Sequence, residues 1–268
     1  LPVYNDGDVV ESTIESLLKQ VYPGKISIFL INDGSTDRTA LILQAIAKDH
    51  PGIVFIHLKK NIGKARALNE GLKQCKTELV ISVDADCWVK ADAVKNLVAR
   101  YLSDPKNTKA VAGTILIRNS RENWITRAQE WDYFLGIASI KRVQSLFQGT
   151  LVAQGAFSLY DRAVLNQMGG WPNTVGEDIV LTWNFLNQGY RVGYAEDACV
   201  FTNCPNTLGQ FVRQRQRWSR GLIEAFKANP SLLFKPRLTA MFIWWNLFFP
   251  LIDTAYTLGF IPGLILAA

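Results

Sequence analysis

The sequence predicts an α/β fold in which helices cover both faces of a mostly parallel, doubly wound sheet. Two observations support this prediction. Short apolar segments alternate with segments of helical spacing through residues 6–118, a pattern typical of right-handed strand-helix-strand units. The run Leu79-Val80-Ile81-Ser82-Val83 is short and β-branched, as expected for a buried parallel strand, and it ends in Asp84-Ala85-Asp86. Ligands of such sheets bind beyond the carboxyl ends of the strands, so these acids are candidate site residues.

Turn-forming residues separate each predicted strand of the N-terminal half from the next helix. Apolar residues at helical spacing predict a first helix within residues 6–20, which Pro23-Gly24 ends. The turn at residues 32–37 supplies an N-cap for the following helix. The other predicted elements are strands at 27–31, 53–58 and 110–118, and helices at 38–48, after the loop at 59–63, and at 90–102.

The C-terminal half departs from this regular alternation. Residues 124–147 form a long helical stretch, and we expect them to contribute to the core and to a lid. Residues 150–160 alternate between apolar and polar side chains. A helix is predicted at 179–187, ended by Gly189, and short strands are predicted at 192–195 and 199–202.

The composition predicts a folded protein with one large core or two smaller ones. The chain has 268 residues, 49% of them hydrophobic. Its four cysteines form neither a Cys-x-x-Cys pair nor a group with histidine, so they are interpreted as reduced thiols rather than zinc ligands or disulfides. The presence of only two histidines, His50 and His57, argues against a histidine base. The net charge of +6 is compatible with phosphate-bearing ligands, nucleic acid or an anionic membrane surface.

A basic helix and an apolar tail follow the α/β region. Residues 208–226 have helical spacing and carry four arginines, and further cations extend the positive run to residue 237. Residues 238–268 contain no Lys, Arg or Glu, and they include a stretch of about 20 residues, which is long enough to span a bilayer. A buried core helix is the alternative, because Asp253 would be costly at the bilayer centre unless it is paired.

These features divide the chain into three parts. Residues 1–206 form the α/β domain, residues 207–237 an amphipathic interfacial helix, and residues 238–268 a transmembrane segment. The cations that precede the apolar segment predict a cytoplasmic α/β domain at a plasma or inner membrane, with Trp244 and Trp245 as interface anchors. Because the chain begins within the predicted first strand, at Leu1, we expect it to be a fragment.

The acids after the strand at residues 79–83 are candidate metal ligands. Asp84 and Asp86 are expected on one side of the strand end, since side chains alternate along a strand. Two close carboxylates suit Mg²⁺ or Mn²⁺, which usually completes its coordination with phosphate oxygens. A pair of solvated turn acids would give the same pattern, so the motif alone leaves both interpretations open.

Six short motifs occur together along the chain. In order, they are Pro2-Val3-Tyr4-Asn5, Asn32-Asp33-Gly34-Ser35, Asn61-x-Gly63-Lys64-Ala65-x-Ala67-Leu68-Asn69, Asp84-x-Asp86, Gly176-Glu177-Asp178 and Gln214-x-x-Arg217-Trp218. This combination, which covers nearly the whole chain, resembles the family 2 glycosyltransferases. The last motif and the apolar segment after it look like the processive membrane synthases of poly-N-acetylglucosamine, chitin, hyaluronan and cellulose. The resemblance implies a GT-A fold with a Rossmann-like, mostly parallel sheet.

The resemblance also implies that a UDP-sugar binds across the strand ends. Asp33 would accept a hydrogen bond from the uracil ring, with Tyr4 packing beside the base and Asn5 and Asn61 nearby. From spacing alone, Asp33 could equally cap the next helix.

The diphosphate side of the donor is assigned in the same way. Lys64 would meet a phosphate or the uracil edge, because Gly63 permits close approach of the backbone. Asp84 would hold the ribose or the sugar, and Asp86, with Asp84 beside it, would bind the Mg²⁺ or Mn²⁺ that bridges the phosphates. A lysine at a solvated helix start is the alternative for Lys64.

The acceptor side carries the proposed base. The resemblance implies that Asp178 removes a proton from the acceptor hydroxyl, with Glu177 orienting it, although two acids at a helix start also favour the helix dipole. An acceptor pocket would include Gln154 and Gly155, where family members often have Ser or Cys in place of Gln154. Arg217 would grip the diphosphate, and Trp218, with Gln214 on the same helix, would support a sugar ring. The alternative for this helix is a basic interfacial helix that binds anionic lipid.

The function that these assignments predict is a membrane-associated inverting glycosyltransferase that elongates a β-linked polysaccharide, with UDP-N-acetylglucosamine as the favoured donor. One alternative is transfer of a single sugar to a lipid carrier or lipid acceptor. A second is a non-catalytic nucleotide-sensing domain. A nucleic-acid binder fits poorly, because the cations cluster beside the apolar tail rather than along an aromatic-studded groove. Whether a partner subunit is required is left open.

Overall fold

The computed structural model describes residues 1–147 and 149–267 and contains two β-sheets. The first sheet is parallel, with strand order β1-β2-β3, and helices connect its strands. Its elements are β1 (Pro2–Val3), α1 (Val10–Leu18), β2 (Ile28–Asp33), α2 (Thr39–Asp49) and β3 (Ile53–Leu58), after which comes α3 (Lys64–Gln74). The predicted alternation of strands and helices is confirmed in this part of the chain.

The second sheet is mixed, with strand order β4-β7-β6-β8-β5. It consists of β4 (Leu79–Val83), β5 (Trp88–Val89), β6 (Thr108–Ile117), β7 (Phe157–Asp161) and β8 (Arg191–Thr202), with α4 (Ala93–Ser103) between β5 and β6. Only the β6–β8 pairing is parallel among its described pairs. The prediction of one mostly parallel sheet is therefore wrong for this half, because β7 inserts antiparallel between β4 and β6, and periodicity carries no information on strand direction.

Two strand predictions also need correction. The short strands expected at 192–195 and 199–202 are one strand, β8. Its register with β6 shifts between Thr108 and Ala110, and again between Ala112 and Thr114, where the paired residue of β8 changes from Tyr194 to Cys199. Such irregularities bend a strand without ending it. The two-residue strand β5 was not predicted, since it is too short for periodicity to detect.

The remaining elements are helical and lie between β6 and β7, between β7 and β8, and after β8. They are α5 (Trp124–Trp131), a π-helical segment (Asp132–Ser139), α6 (Ile140–Phe147), α7 (Arg162–Gln167), α8 (Glu177–Asn187), α9 (Leu208–Ala228), a 3₁₀ turn (Pro230–Phe234) and α10 (Leu238–Ala267).

Two apolar clusters form the core on opposite sides of the sheets. The first joins both sheets to α1, α2 and α4 and includes Leu30 and Val111. The second packs α3, α8 and α9 against β7 and includes Tyr160 and Trp183. Trp183 meets Phe226 of α9 edge-on, with ring centroids 4.9 Å apart, so α9 is packed firmly on α8.

Residues 124–147 are less buried than expected. Trp124 and Trp131 are 71% and 65% exposed, and the large apolar side chains of the π-helical segment and α6 also face outward. In α6 the buried residues are polar, namely Lys141, Gln144 and Ser145. The expectation that this stretch contributes to the core is therefore wrong for its apolar face, although Tyr133 is buried.

Helix α10 contains most of the predicted transmembrane segment, whose last residue, Ala268, lies outside the described residues. Within residues 1–147 and 149–267 no single helix meets the length and apolarity needed to cross a membrane. The halves Leu238–Phe249 and Leu251–Ala267, bent by 43°, meet that requirement together.

Candidate active site

The acids that follow β4 lie at the carboxyl end of the strand, in the turn Asp84-Ala85-Asp86. The Asp84 N–H donates to the carbonyl of Ala156, which fixes this turn against the segment before β7. Asp86 Oδ2 accepts a hydrogen bond from Thr202 Oγ1 at 3.2 Å. Although its side chain reaches solvent, the protein around the Asp86 carboxylate raises its pKa, and the charge of Asp84 raises it further. Two mutually repelling carboxylates thus lie at the strand end.

Lys64 connects this acidic turn to the start of α8. It is the first residue of α3, preceded by Gly63 with φ of +89°. Its Nζ lies 2.6 Å from Asp84 Oδ1 and 3.4 Å from Glu177 Oε1. Burial alone would favour the neutral amine, but the Asp84 and Glu177 charges and the Asp84 hydrogen bond outweigh it and raise the pKa of Lys64 well above its usual value. Lys64 is therefore a permanent cation between two acids.

Glu177 and Asp178 begin α8, directly after Gly176 in the left-handed conformation. Burial raises the pKa of Glu177, the nearby Lys64 cation opposes this rise, and the Asp178 charge adds to it. Asp178 Oδ2 accepts the N–H of Gly155 at 2.9 Å, and its Oδ1 accepts the N–H of Ile179 at 2.8 Å. The proposed base is thus held by two backbone donors.

Gly155 lies at the point where these side chains meet. A Cβ built on Gly155 would be 2.8 Å from Lys64 Nζ and 3.4 Å from Glu177 Oε1. Its N–H is bonded to Asp178, and the next residue, Ala156, accepts the Asp84 N–H. A side chain at this position would displace Lys64 Nζ from its ion pairs, whereas glycine allows the close approach.

The residues predicted to hold the nucleotide base lie at the ends of β1 and β2. Tyr4 is 45% exposed, and Asn5 has φ of +54° and accepts the Thr36 N–H at 2.9 Å. Asp33 is buried and does not cap α2. Its two oxygens instead accept the N–H groups of Ile62 and Gly63.

The cap of α2 and the position of Asn61 complete this side of the site. The N–H of Thr39, the first residue of α2, bonds to Asp37 Oδ1. Asn61 is exposed, and its backbone packs on Gly34, where a Cβ would be 2.4 Å from Asn61 N. The turn after β2 and the loop before α3 are therefore one packed unit.

Helix α9 crosses the start of α8 through a contact between two glycines. A Cβ on Gly176 would lie 2.6 Å from the Cα of Gly221, and Gly176 also has φ of +73°. Trp218 lies nearly one turn earlier on α9 and meets the Tyr133 ring at 6.1 Å. This contact fixes the motif-bearing helix next to the proposed base.

The three motif residues of α9 have different environments. Arg217 is exposed and takes no part in the ion pairs found between described residues. The side-chain oxygens of Gln214 and Gln154 are buried without a hydrogen-bond partner in the described part of the chain. Buried polar atoms are normally paired, so each of these amide oxygens lacks a partner that a ligand hydroxyl would supply.

Some residues at the site were missed by the sequence motifs. Arg215 lies 2.6 Å from Asp132 and stacks over Trp218, with its guanidinium carbon 4.3 Å from the ring centroid. Asp6 is half-buried, and this burial raises its pKa. A backbone hydrogen bond opposes the rise, whereas the charges of Asp86 and Asp84 raise the pKa further. No motif includes these residues, and only the fold brings them to the site.

The donor set at the acidic turn fits a divalent cation. Asp84 and Asp86 provide two carboxylates whose repulsion a cation would relieve, and the Thr202 hydroxyl lies beside them. No group of three or more His, Cys, Asp or Glu side chains suited to a metal occurs within residues 1–147 and 149–267. A cation at Asp86 and Asp84 would therefore take its other ligands from phosphate oxygens and water, as Mg²⁺ and Mn²⁺ commonly do.

Comparison with known families identifies the fold and the motifs. The sequence pattern described as "Glycosyl transferase family 2" matches residues 1–169. The chain belongs to glycosyl transferase family 2. The resemblance predicted from the six motifs is thereby confirmed.

Similar members of glycosyl transferase family 2 are bacterial polysaccharide synthases. The chain is 36% identical over 222 residues to the poly-β-1,6-N-acetyl-D-glucosamine synthase of Staphylococcus aureus strain MSSA476, and the match covers 82% of this chain and 53% of that protein. The synthase of the same name from Staphylococcus epidermidis is equally similar, at 36% over the same length. The chain thus spans about half the length of these relatives.

Solved structures with a similar architecture include a mannosyltransferase and a UDP complex. The mannosyltransferase PcManGT from Pyrobaculum calidifontis, in complex with GDP-Man and Mn²⁺, superposes with a TM-score of 0.71 at 23% identity, covering 90% of this chain and 67% of that chain. TarS residues 1–349 from S. aureus, in complex with UDP, superposes with a TM-score of 0.56 at 20% identity, covering 83% and 64%. At these identities the likeness concerns the fold, and the predicted GT-A fold is confirmed.

Proposed function

We propose that this chain is the catalytic part of a membrane-associated inverting glycosyltransferase that transfers N-acetylglucosamine from a UDP-sugar to a growing β-linked polysaccharide. The observation that carries the proposal is the convergence of Lys64, Asp84, Glu177 and Asp178 around Gly155. The similarity to poly-β-1,6-N-acetyl-D-glucosamine synthases favours this sugar and a polymeric product. The GDP-Man and Mn²⁺ of PcManGT and the UDP of TarS favour a nucleotide-diphosphate donor and a divalent cation.

The donor would bind across the ends of β1, β2 and β4. Tyr4 is exposed enough to pack on the base. The buried Asp33 holds the Gly63 loop through both of its oxygens and would accept a hydrogen bond from the uracil ring through a remaining lone pair. Asn5 and Asn61 flank the same turn.

The diphosphate would lie over the acidic turn. Asp86 and Asp84 would hold Mg²⁺ or Mn²⁺, which when bound neutralises the charge that develops on the departing UDP. Lys64, ionised between Asp84 and Glu177, adds a fixed positive charge in the same place.

In the proposed reaction, Asp178 acts as the base. As the acceptor hydroxyl oxygen bonds to the anomeric carbon, its proton passes to Asp178, and the bond from that carbon to UDP breaks. Attack from the face opposite UDP converts an α-linked donor into a β-linked product. The N–H groups of Gly155 and Ile179 hold the carboxylate in a fixed orientation for this transfer.

The acceptor would lie between the 154–156 segment and α9. The unpaired buried oxygens of Gln154 and Gln214 would accept sugar hydroxyl groups. Trp218, held by Arg215 and next to Tyr133, offers a flat apolar face for a sugar ring, and the exposed Arg217 is free to bind phosphate.

Membrane association is supported by two neighbouring apolar surfaces. Helix α10 exposes large side chains such as Trp245 and Leu251, and α6 exposes Val143 and Leu146. The two helices meet where Phe147 of α6 contacts Phe242 of α10, with ring centroids 6.3 Å apart. We extend the proposal to residues 207–237 as the interfacial helix, residues 238–268 as the membrane segment, and a cytoplasmic catalytic domain of residues 1–206.

The test is release of UDP by the purified full-length protein supplied with Mg²⁺ or Mn²⁺ and a panel of nucleotide sugars. We expect turnover with UDP-N-acetylglucosamine, its loss in Asp178→Asn with UDP binding retained, and its loss in Asp86→Ala. Asp197→Asn, a change to an exposed acid of β8, is the matched control and should be active. UDP binding without UDP release from any nucleotide sugar would instead indicate a non-catalytic nucleotide-sensing domain, whose binding function both site variants should retain.

The length of the product distinguishes polymer elongation from transfer of a single sugar. Radiolabelled UDP-sugar in membranes should give long chains. Labelled products with a single sugar would contradict elongation and indicate transfer to a lipid carrier or lipid acceptor.

A further inference from the structure

Helix α6 has its polarity reversed relative to an ordinary amphipathic helix. Ile140 and Val143 are each 48% exposed, whereas Lys141 is only 5% exposed. Lysine is almost never fully buried unless it is paired, so its burial here requires an explanation. None of the six sequence motifs includes this residue.

Lys141 contacts the segment that carries Gly155. Its ammonium donates to the carbonyl of Val152, its one hydrogen-bond acceptor within the described residues. From the same face of α6, Gln144 Oε1 accepts the N–H of Leu151 and lies within hydrogen-bond distance of Thr150 Oγ1. The polar face of α6 therefore holds residues 150–152.

The same segment is bonded on its other side to the proposed base. The Ala153 N–H donates to Thr182 Oγ1, whose hydroxyl donates to the carbonyl of Asp178. Two residues further on, the Gly155 N–H donates to the Asp178 carboxylate. A short run of backbone thus joins Lys141 to Asp178.

Three other charged groups lie near α6, and each bonds to a partner other than Lys141 or Val152. Arg142 turns outward to Glu196 at 3.0 Å, and Arg191 of β8 donates to carbonyls at the end of α6. The acid of the π-helical segment, Asp132, is paired with Arg215 of α9.

Asp178 is the charge that acts on Lys141. Burial lowers the pKa of Lys141 to about 7, and the Asp178 charge opposes this shift. Its protonation therefore changes near neutral pH, in contrast to Lys64, which stays charged.

We propose that Lys141 is a positioning residue for Asp178. The buried ammonium of Lys141 fixes the 152–155 segment against the base and attracts the Asp178 carboxylate. This inference rests on the proposed function, because Asp178 is assigned there as the base. Lys141 contacts neither the acidic turn nor the nucleotide-binding turns in the described contacts. It should therefore affect kcat and not UDP affinity.

The kinetic test compares the pH profiles of the wild type, Lys141→Met and Lys141→Arg in the full-length protein. The wild type should lose kcat as pH rises above about 7, since the ammonium is lost there. Lys141→Met should lower kcat by about tenfold at pH 6 and abolish the alkaline loss. Lys141→Arg, always charged, should retain activity to higher pH.

Two measurements decide whether the role is merely structural. UDP affinity should be unchanged in Lys141→Met, and Lys109→Met, which removes a lysine paired with Asp161 outside the site, should leave the pH profile of kcat unchanged. Loss of UDP affinity as large as the loss of kcat, or a wild-type pH profile in Lys141→Met, overturns the proposal.

A thermal double-mutant cycle tests the pair without any catalysis. The effects of Lys141→Met and Asp178→Asn on Tm should be non-additive at pH 6 and additive at pH 9, where the ammonium is gone. Additive effects at pH 6 overturn the proposal even in an active enzyme. If the effects are non-additive but the protein has no transferase activity, the interaction between Lys141 and Asp178 is supported and the proposed function is rejected.

Discussion

Lys64 of α3 and Glu177 of α8 form an ion pair, with Nζ 3.4 Å from Oε1. The two residues come from opposite halves of the fold, one beside the parallel sheet and the other behind the mixed sheet. The start of α3 and the start of α8, where the proposed base Asp178 follows Glu177, are therefore joined by a direct charge contact.

Lys64→Met should lower kcat/KM for the UDP-sugar by about 100-fold or more. The change leaves Asp84 and Glu177 without their shared cation and removes a fixed positive charge from the place proposed for the diphosphate. UDP release and UDP affinity measure the effect. Lys73→Met, on the exposed face of the same helix, is the control and should be active. Equal activity of the two variants would contradict this role.

Gly221→Ala should lower both Tm and turnover. Its new Cβ would lie 3.0 Å from Gly176 Cα, and overpacking of this kind costs about 1–3 kcal/mol. Alanine is otherwise favoured over glycine within a helix by about 1 kcal/mol, so a net loss reports the collision. In Gly209→Ala, near the start of α9, the new Cβ meets only Arg213 Nη1 at an ordinary 3.6 Å, and Tm should not fall. A Tm in Gly221→Ala at or above the wild-type value would show that α9 is not held by this contact.

Glu177→Gln should raise Tm at pH 7 by about 2–4 °C, which corresponds to roughly 1 kcal/mol in a domain of this size. Burial raises the pKa of Glu177 above 4.5, against the opposing Lys64 cation, so the folded chain binds this proton more tightly than the unfolded chain. Stability is then lost as pH rises from about 4.5 through the folded-state pKa, and glutamine avoids this loss.

The control for the effect of Glu177→Gln on Tm is a glutamate of α1. Glu15→Gln alters an exposed acid and should leave Tm unchanged at both pH 4 and pH 7. The Tm advantage of Glu177→Gln should disappear at pH 4. A lower Tm at pH 7 would instead mean that the pair with Lys64 outweighs burial.

Much of the fold followed from periodicity and turn chemistry. The strand Ile53–Leu58 was predicted to the residue, and the helices of the first half to within a few residues, because apolar spacing and turn residues are local signals. Strand direction in the second sheet was not predictable. Whether β7 pairs antiparallel with β4 depends on the path of the chain after α6, which no local pattern encodes.

The candidate site was predictable where residues belong to a short motif. The sequence alone could not show that Lys64 pairs with Glu177, or that Asp33 binds the Gly63 loop rather than α2. Arg215 was recognised only as one of the four arginines of the basic helix, and Lys141 was not singled out, because a cation in a basic or apolar segment gives no local signal of its partners. Only packing shows that one stacks on Trp218 and the other is buried.

The reversed polarity of α6 bears on how the enzyme can be handled in the laboratory. Deleting α10 would uncover Phe147 and leave Leu146, Trp124 and Trp131 facing water. Large apolar side chains exposed in this way favour aggregation. Shortening the chain before Leu238 would therefore leave these exposed side chains to be handled during purification.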